Sequence, residues 1–224
     1  MAEARNIVLD ICNDALDLLN VEELQDINDR TTKAARTCQR QYLLCRDVVL
    51  RKGHWNFALT REILSSGKTH PKFGSAIQFV LPKDWVKMHK VLDKDGKELR
   101  YRPEVGFLYV DFVGRSNYPE LEDTLGEDVP VYTVYMLYFS NAVSPSLFDP
   151  SFKEALACYM ASKMAFPLTQ SRTRAADLRE QAEFLISEGR TFNSQETPST
   201  GIQWDLFDRA RLAGHEIYPN TDLL

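Results

Sequence analysis

Gly67-Lys68-Thr69 reads like the end of a P-loop, in which backbone N–H groups and a lysine cradle phosphate oxygens. The rest of that loop is missing. Its first glycine would fall at position 62, where the chain has Glu62, and the helix that must follow is replaced by His70-Pro71. The histidines, His54, His70, His89 and His215, are scattered over unlike elements, whereas a metal site needs two or three at fixed spacing. Ser144 and Ser146 stand beside prolines without the strand–turn–helix that exposes a nucleophile. Adjacent carboxylates at Glu22/Glu23 and Glu122/Asp123 lie in charge-rich loops with no apolar pocket to shift a pKa. No catalytic residue, metal or cofactor is therefore expected, and a small-molecule enzyme is the weakest reading.

Cys12, Cys38, Cys45 and Cys158 form no C-x-x-C pair and have no histidine at ligand spacing, so buried reduced thiols are expected. The opening MAEARNIVLDICND lacks a secretory pattern, and no run of about 18 apolar residues occurs. Synthesis in the cytoplasm and no membrane partner are expected. The net charge of −5 argues against a dedicated nucleic-acid binder, but it is unevenly spread. Residues 1–30 hold eight acidic and two basic side chains, which is −6, and residues 31–61 hold seven basic and one acidic, which is +6. Two such segments should attract, within one subunit or across a subunit boundary. Asp10, Asp14 and Asp17 on one side and Arg36 and Arg40 on the other are the candidate interface residues.

Helices must hold those charges in rows. Residues 5–19 place Ile7, Ile11, Ala15, Leu18 and Leu19 on one stripe, with Asn20 suited to the left-handed cap. A second helix over residues 33–52 places Ala35, Cys38, Tyr42, Cys45 and Val49 on its apolar face, with Leu44 and Val48 beside them. Arg36, Arg40, Asp47 and Arg51 take its wet face. Asp29 or Thr31 could cap its start, and Gly53 suits a positive φ past its end. Trp55 and Phe57 then form an aromatic plug in the structural core.

After Ala58 the character changes. Residues 75–81, 85–92, 97–102, 107–113 and 131–140 read as strands, with Asp93-Lys94-Asp95-Gly96 as a hairpin turn. Residues 132–139 are nearly apolar throughout, which predicts a strand covered on both faces. The acidic loop from Glu120 to Asp128 reads as a solvated tip. A third helix starts at Pro150 and should end at Pro167, and a fourth runs over residues 172–187. From Gly189 the chain turns polar, with one aromatic island at Trp204 and Phe207, and reads as an extended arm needing a partner surface.

The order implies an α+β fold with four helices. A helical bundle (residues 1–59 and 144–188) carries an inserted antiparallel β domain (60–143) and an extended C-terminal arm (189–224). The basic helix 33–52 also permits a DNA-binding or DNA-packaging accessory protein. A recognition helix, however, follows its partner through about three or four residues, and the linker here is longer.

Ala15-Leu16, Leu19, Ala35, Cys38, Tyr42 and Arg46-Asp47, followed by Trp55-Asn56-Phe57-Ala58 and Arg61, resemble the start of one known family. These are the head-to-tail adaptors of short-tailed bacteriophages, of the tail tubular protein A type. Phe79-x-Leu81-Pro82-x-Asp84 is similar to that family's strand-end segment, and Leu156-Ala157, Ala161 and Ala175 to Ala182 to its C-terminal helices. Trp204 with Arg209 and Arg211 is similar to its Trp/Arg tail; the acidic loop around Glu120 and the residues after Gly214 depart from the pattern. The resemblance implies a non-enzymatic virion part at the head–tail junction, forming a ring of about twelve copies. That ring would sit beneath the portal protein, seat the tail nozzle, offer a contact to a tail fibre or spike, and extend the channel through which genomic DNA passes without sequence-specific contact. Trp204, Phe207, Arg209 and Arg211 would belong to an arm that reaches the portal.

Overall fold

The computed structural model describes residues 2–29, 31–66, 77–111 and 132–196. It is an α+β protein in which four helices enclose one core and two small antiparallel sheets enclose another. Helix α1 (Ala2–Asp17) buries Ile11, Ala15, Leu16 and Leu19. It closes as expected at Asn20, whose φ of 54° allows Val21 N–H to donate back to Leu16 O at 3.1 Å. The linker beyond is pinned by Asn13, whose side-chain amide donates to Leu24 O and accepts from Leu24 N–H.

Helix α2 (Lys33–Lys52) is capped by Thr32, not by Asp29 or Thr31, with the Thr32 hydroxyl accepting from Ala35 N–H at 3.1 Å. Asp29 instead closes the turn ahead of it by accepting from Thr31. Gly53 departs from its expected conformation: its φ is −82° and its backbone is extended. The glycine is required for space. A Cβ there would come within 2.1 Å of the Trp55 indole nitrogen. Leu44 also departs from expectation, standing 61% exposed on the wet side of the helix beside Leu43 at 54%.

Helix α3 (Pro150–Thr169) starts on the Asp149 cap with Pro150 in its first turn. It is apolar all round because the other three helices surround it: Phe152, Leu156, Cys158, Met160 and Met164 are all buried. Pro167 does not end it. So near the terminus its missing N–H removes only one helical bond, and the chain continues to Thr169 before Gln170 turns left-handed at φ 58°. Lys33 donates to the Pro167 carbonyl. Helix α4 (Arg172–Glu196) runs nine residues past its expected end at residue 187, so the arm boundary at residue 189 moves to the far side of Glu196.

The β unit contains β1 (Leu59–Ser65), β2 (Ile77–Val80), β3 (Trp85–Leu92), β4 (Arg100–Glu104), β5 (Phe107–Asp111) and β6 (Thr133–Ser140). One sheet runs β1-β6-β3 and the other β2-β5-β4. Strict alternation sends Val134, Met136 and Tyr138 of β6 into the core shared with Phe79, Leu108 and Val110 of the other sheet. The opposite face of β6 is covered only at Phe139, which enters the helical core, while Tyr135 is 37% exposed. Coverage of β6 is thus one-sided along most of its length. Asp93–Gly96 forms the expected hairpin turn: the Asp93 carboxylate accepts from Asp95 and Lys97 N–H, Asp93 N–H donates to Lys97 O at 3.0 Å, and Leu92 bridges Glu98 across it before β4 continues into the other sheet.

Candidate functional site

The joint between helices and sheets is built around Trp55. Its ring is fully buried and its Nε1–H donates to Val49 O at 2.9 Å, which satisfies the indole without water. It meets Phe152 edge-on at 5.1 Å between ring centres, and the half-buried Phe57 meets Phe152 at 5.0 Å and Phe148 at 5.5 Å. Gly189 of α4 makes room on the far side, since a Cβ there would lie 2.6 Å from the indole edge. One turn on, Asn193 accepts from Asn56 N–H at 2.9 Å through Oδ1, and its carbonyl accepts from the Asn56 amide at 3.0 Å. These contacts hold the last turns of α4 in a stretch whose polar sequence does not propose a helix.

Around that plug lies a basic cluster. Arg190 of α4 donates to Lys52 O, Lys87 of β3 approaches Gly53 O at 3.4 Å, and Arg51 approaches Val86 O at 3.4 Å. The carbonyl end of a helix carries partial negative charge, so cations gather there at little cost. His54 and His89 meet edge to face at 5.1 Å and both pack on Phe139. Burial lowers the pKa of His54, helped by His89, Lys87 and Arg190. Burial likewise lowers His89, with Lys90 and Lys87 adding to it and Glu98 opposing. Lys87 is lowered by burial and then by Arg190 and Arg51. The causes name one another, which marks a shared positive field.

Sequence reasoning anticipated Trp55 and Phe57 but not this cluster, whose members come from three distant segments. Asp10, Asp14 and Asp17 are exposed along α1, and Arg36 and Arg40 are exposed on α2. Ion pairs among the described residues include Arg46 to Asp47, Lys52 to Glu183 and Arg179 to Glu183. Helices α1 and α2 each pack chiefly on α3. Burial raises the Asp14 pKa, and the like charges of Asp10 and Asp17 raise it further. Trp204, Phe207, Arg209, Arg211, the acidic loop and Gly67–Thr69 lie outside the described residues.

All four cysteines are free and buried; burial pushes Cys45 and Cys158 up to about 11, and these thiols stay protonated near neutrality. Among the described residues no group of His, Cys, Asp and Glu comes together to hold a metal, and no helix is long and apolar enough to cross a membrane. No protein-family model and no curated protein matches the chain.

Proposed function

We propose that the chain is a structural head-to-tail adaptor of a short-tailed bacteriophage virion, a non-enzymatic subunit that closes into a ring beneath the portal and seats the tail nozzle. One observation carries the reading beyond the motif resemblance. A basic helix and a helix with an acidic face each leave large apolar side chains in solvent. On α2, Leu43 and Leu44 stand among Arg36, Arg40 and Arg51. On α4, Phe184 at 65% and Phe192 at 51% exposure stand among Asp177, Glu180 and Glu188 on one face. The α4 set, spaced three or four residues apart, forms a continuous stripe, and the α2 set shares one face with Asp47 between Leu44 and Arg51. A basic, leucine-bearing face and an acidic, phenylalanine-bearing face on one subunit suit a head-to-tail contact between copies, the interface type that generates rings. The acidic row of α1 adds negative charge available to the same contact.

The exposed leucines and Asp47 interrupt the basic row of α2, which weighs against that helix lying along DNA as a packaging accessory. The adaptor reading is tested by sedimenting the chain with portal rings of its particle and imaging the product. The full chain should co-sediment as a ring, and Arg36→Glu with Arg40→Glu, or Phe184→Ser with Phe192→Ser, should abolish ring closure. Deletion of residues 197–224 should leave a folded monomer that no longer binds portal. Unchanged co-sedimentation of the truncated chain would remove the arm from the mechanism, and failure of the full chain to associate would remove the adaptor reading itself.

A further inference from the structure

We propose that the joint between α2, β3 and α4 is a binding track for the phosphate groups of a nucleic-acid backbone. The track begins where Arg190 and Arg51 flank the C-terminus of α2 and continues onto the outer face of the sheet. Two register shifts in β3, at Trp85/Lys87 and Met88/Lys90, make this possible. Without them Lys87 and Lys90 would point to opposite faces, because side chains alternate along a strand. With them, Lys87 stands opposite Phe139 and Lys90 opposite Leu137, two positions on the same face of β6. β-Bulges are features that re-aim side chains, and here they re-aim basic ones. Arg61 of β1 pairs with Leu137 from the other side and extends the row.

The cations keep donors to spare. Arg190 gives one N–H to Lys52 O, Arg51 and Lys87 each make one long contact, at 3.4 Å, to a backbone carbonyl, and Lys87 also lies over the Phe139 ring; a guanidinium has five N–H donors and an ammonium three. The acids within reach are Glu183, already held by Lys52 and Arg179, Glu98, beside His89, and Glu196, whose carboxylate is 3.5 Å from the Asn56 amide. β6 contributes Phe139, which carries no charge. Positive charge that a protein assembles from three segments around one helix terminus favours an anion, and guanidinium forks with ammonium points match phosphate oxygens. Lys87 and Lys90 stand opposite β6 residues two apart, a spacing of roughly 7 Å at the rise of a strand, so the charges form a line suited to a polymer. The two histidines sit on that line, and an anion beside them would raise their pKa and take up protons. This inference rests on the joint alone and stands whether or not the chain is an adaptor.

The test is fluorescence anisotropy of the full chain with a labelled duplex of about 20 base pairs, across salt and between pH 5.5 and 8. Binding should appear at low salt and weaken with a log–log slope of about −3 to −4, as expected for a handful of phosphate contacts. It should tighten as pH falls. Lys87→Gln with Arg190→Gln should weaken it at least tenfold, and Lys90→Gln with Arg61→Gln, farther from the plug, should do so without touching the α2 terminus. Arg36→Gln with Arg40→Gln should change little. Three results would overturn the proposal: no binding at low salt; loss through the Arg36/Arg40 variant alone; or competition by millimolar inorganic phosphate with no binding of duplex, which would make the joint a small-anion site.

Discussion

The helical core and the β core of this molecule are closed in different ways. The helical core is locked by shape: α3 packs against the other three helices, and Trp55 fills a slot whose walls are two backbone stretches, at Gly53 and Gly189. The β core is closed by alternation. One residue in two faces inward, each sheet has only three strands, and Ile63, Val80 and Tyr135 remain exposed on outer faces. Close packing against backbone tolerates almost no change of volume, whereas a two-layer core adjusts by small movements of its sheets. The helical body therefore fixes one structure, and the β unit is the part with freedom to adapt.

The largest test of that contrast is Trp55→Ala, which should cost about 3–5 kcal/mol by chemical denaturation, against a smaller loss for Met136→Ala in the β core. Equal losses would erase the distinction. Gly189→Ala should cost about 1–3 kcal/mol even though alanine is the better helix former, because its Cβ would meet the indole edge at 2.6 Å. A neutral or stabilising result would show that Trp55 can shift. At the tip of the β4–β5 hairpin, Val105 holds φ 43° at 98% exposure, a region that β-branched residues avoid. Val105→Gly should raise stability by about 1 kcal/mol, since the following Gly106 at φ 82° completes a turn that wants positive φ at both positions. A loss there would mean the valine makes a contact of its own. The gentlest probe is pH. His54 and His89 bind protons less readily when folded than when unfolded, so their contribution is full above about pH 6.5 and is lost as pH falls through that value toward their lowered folded pKa. Melting midpoints should drop over that range in the wild type and stay flatter in His54→Gln with His89→Gln.

Much of the helical body was legible in the sequence because its information is local. Asn20, Pro150 and the stripes of α1 and α2 act on their own neighbours, and the structure places them as their chemistry implies. Residues 189–196 were not legible. Their helix is held from outside by Trp55 and Asn56, and no propensity within GRTFNSQE announces it. Gly53 was legible as a required glycine and not in its reason, since close approach and positive φ leave the same letter. Strand positions could be read from composition, but the order β1-β6-β3 pairs segments far apart in the chain, and the register shifts that align Lys87 with Lys90 leave no pattern in the letters. The basic joint was hidden for the same reason. The α1–α2 charge complement was visible in the letters, whereas the packing of both helices on α3 was not.

The clamp between Asn56 and Asn193 has a mechanical meaning. Helix α4 is a spar of 25 residues, about 38 Å long at 1.5 Å per residue, and the clamp sits at its far end, just before the chain continues past Glu196. Tension applied to whatever follows is delivered first to that amide pair. From there it passes through Asn56 into the first strand of the sheet, before it reaches the bulk of the helical core. Asn56 thus ties the end of α4 to the segment that enters β1, beside the slot that holds Trp55.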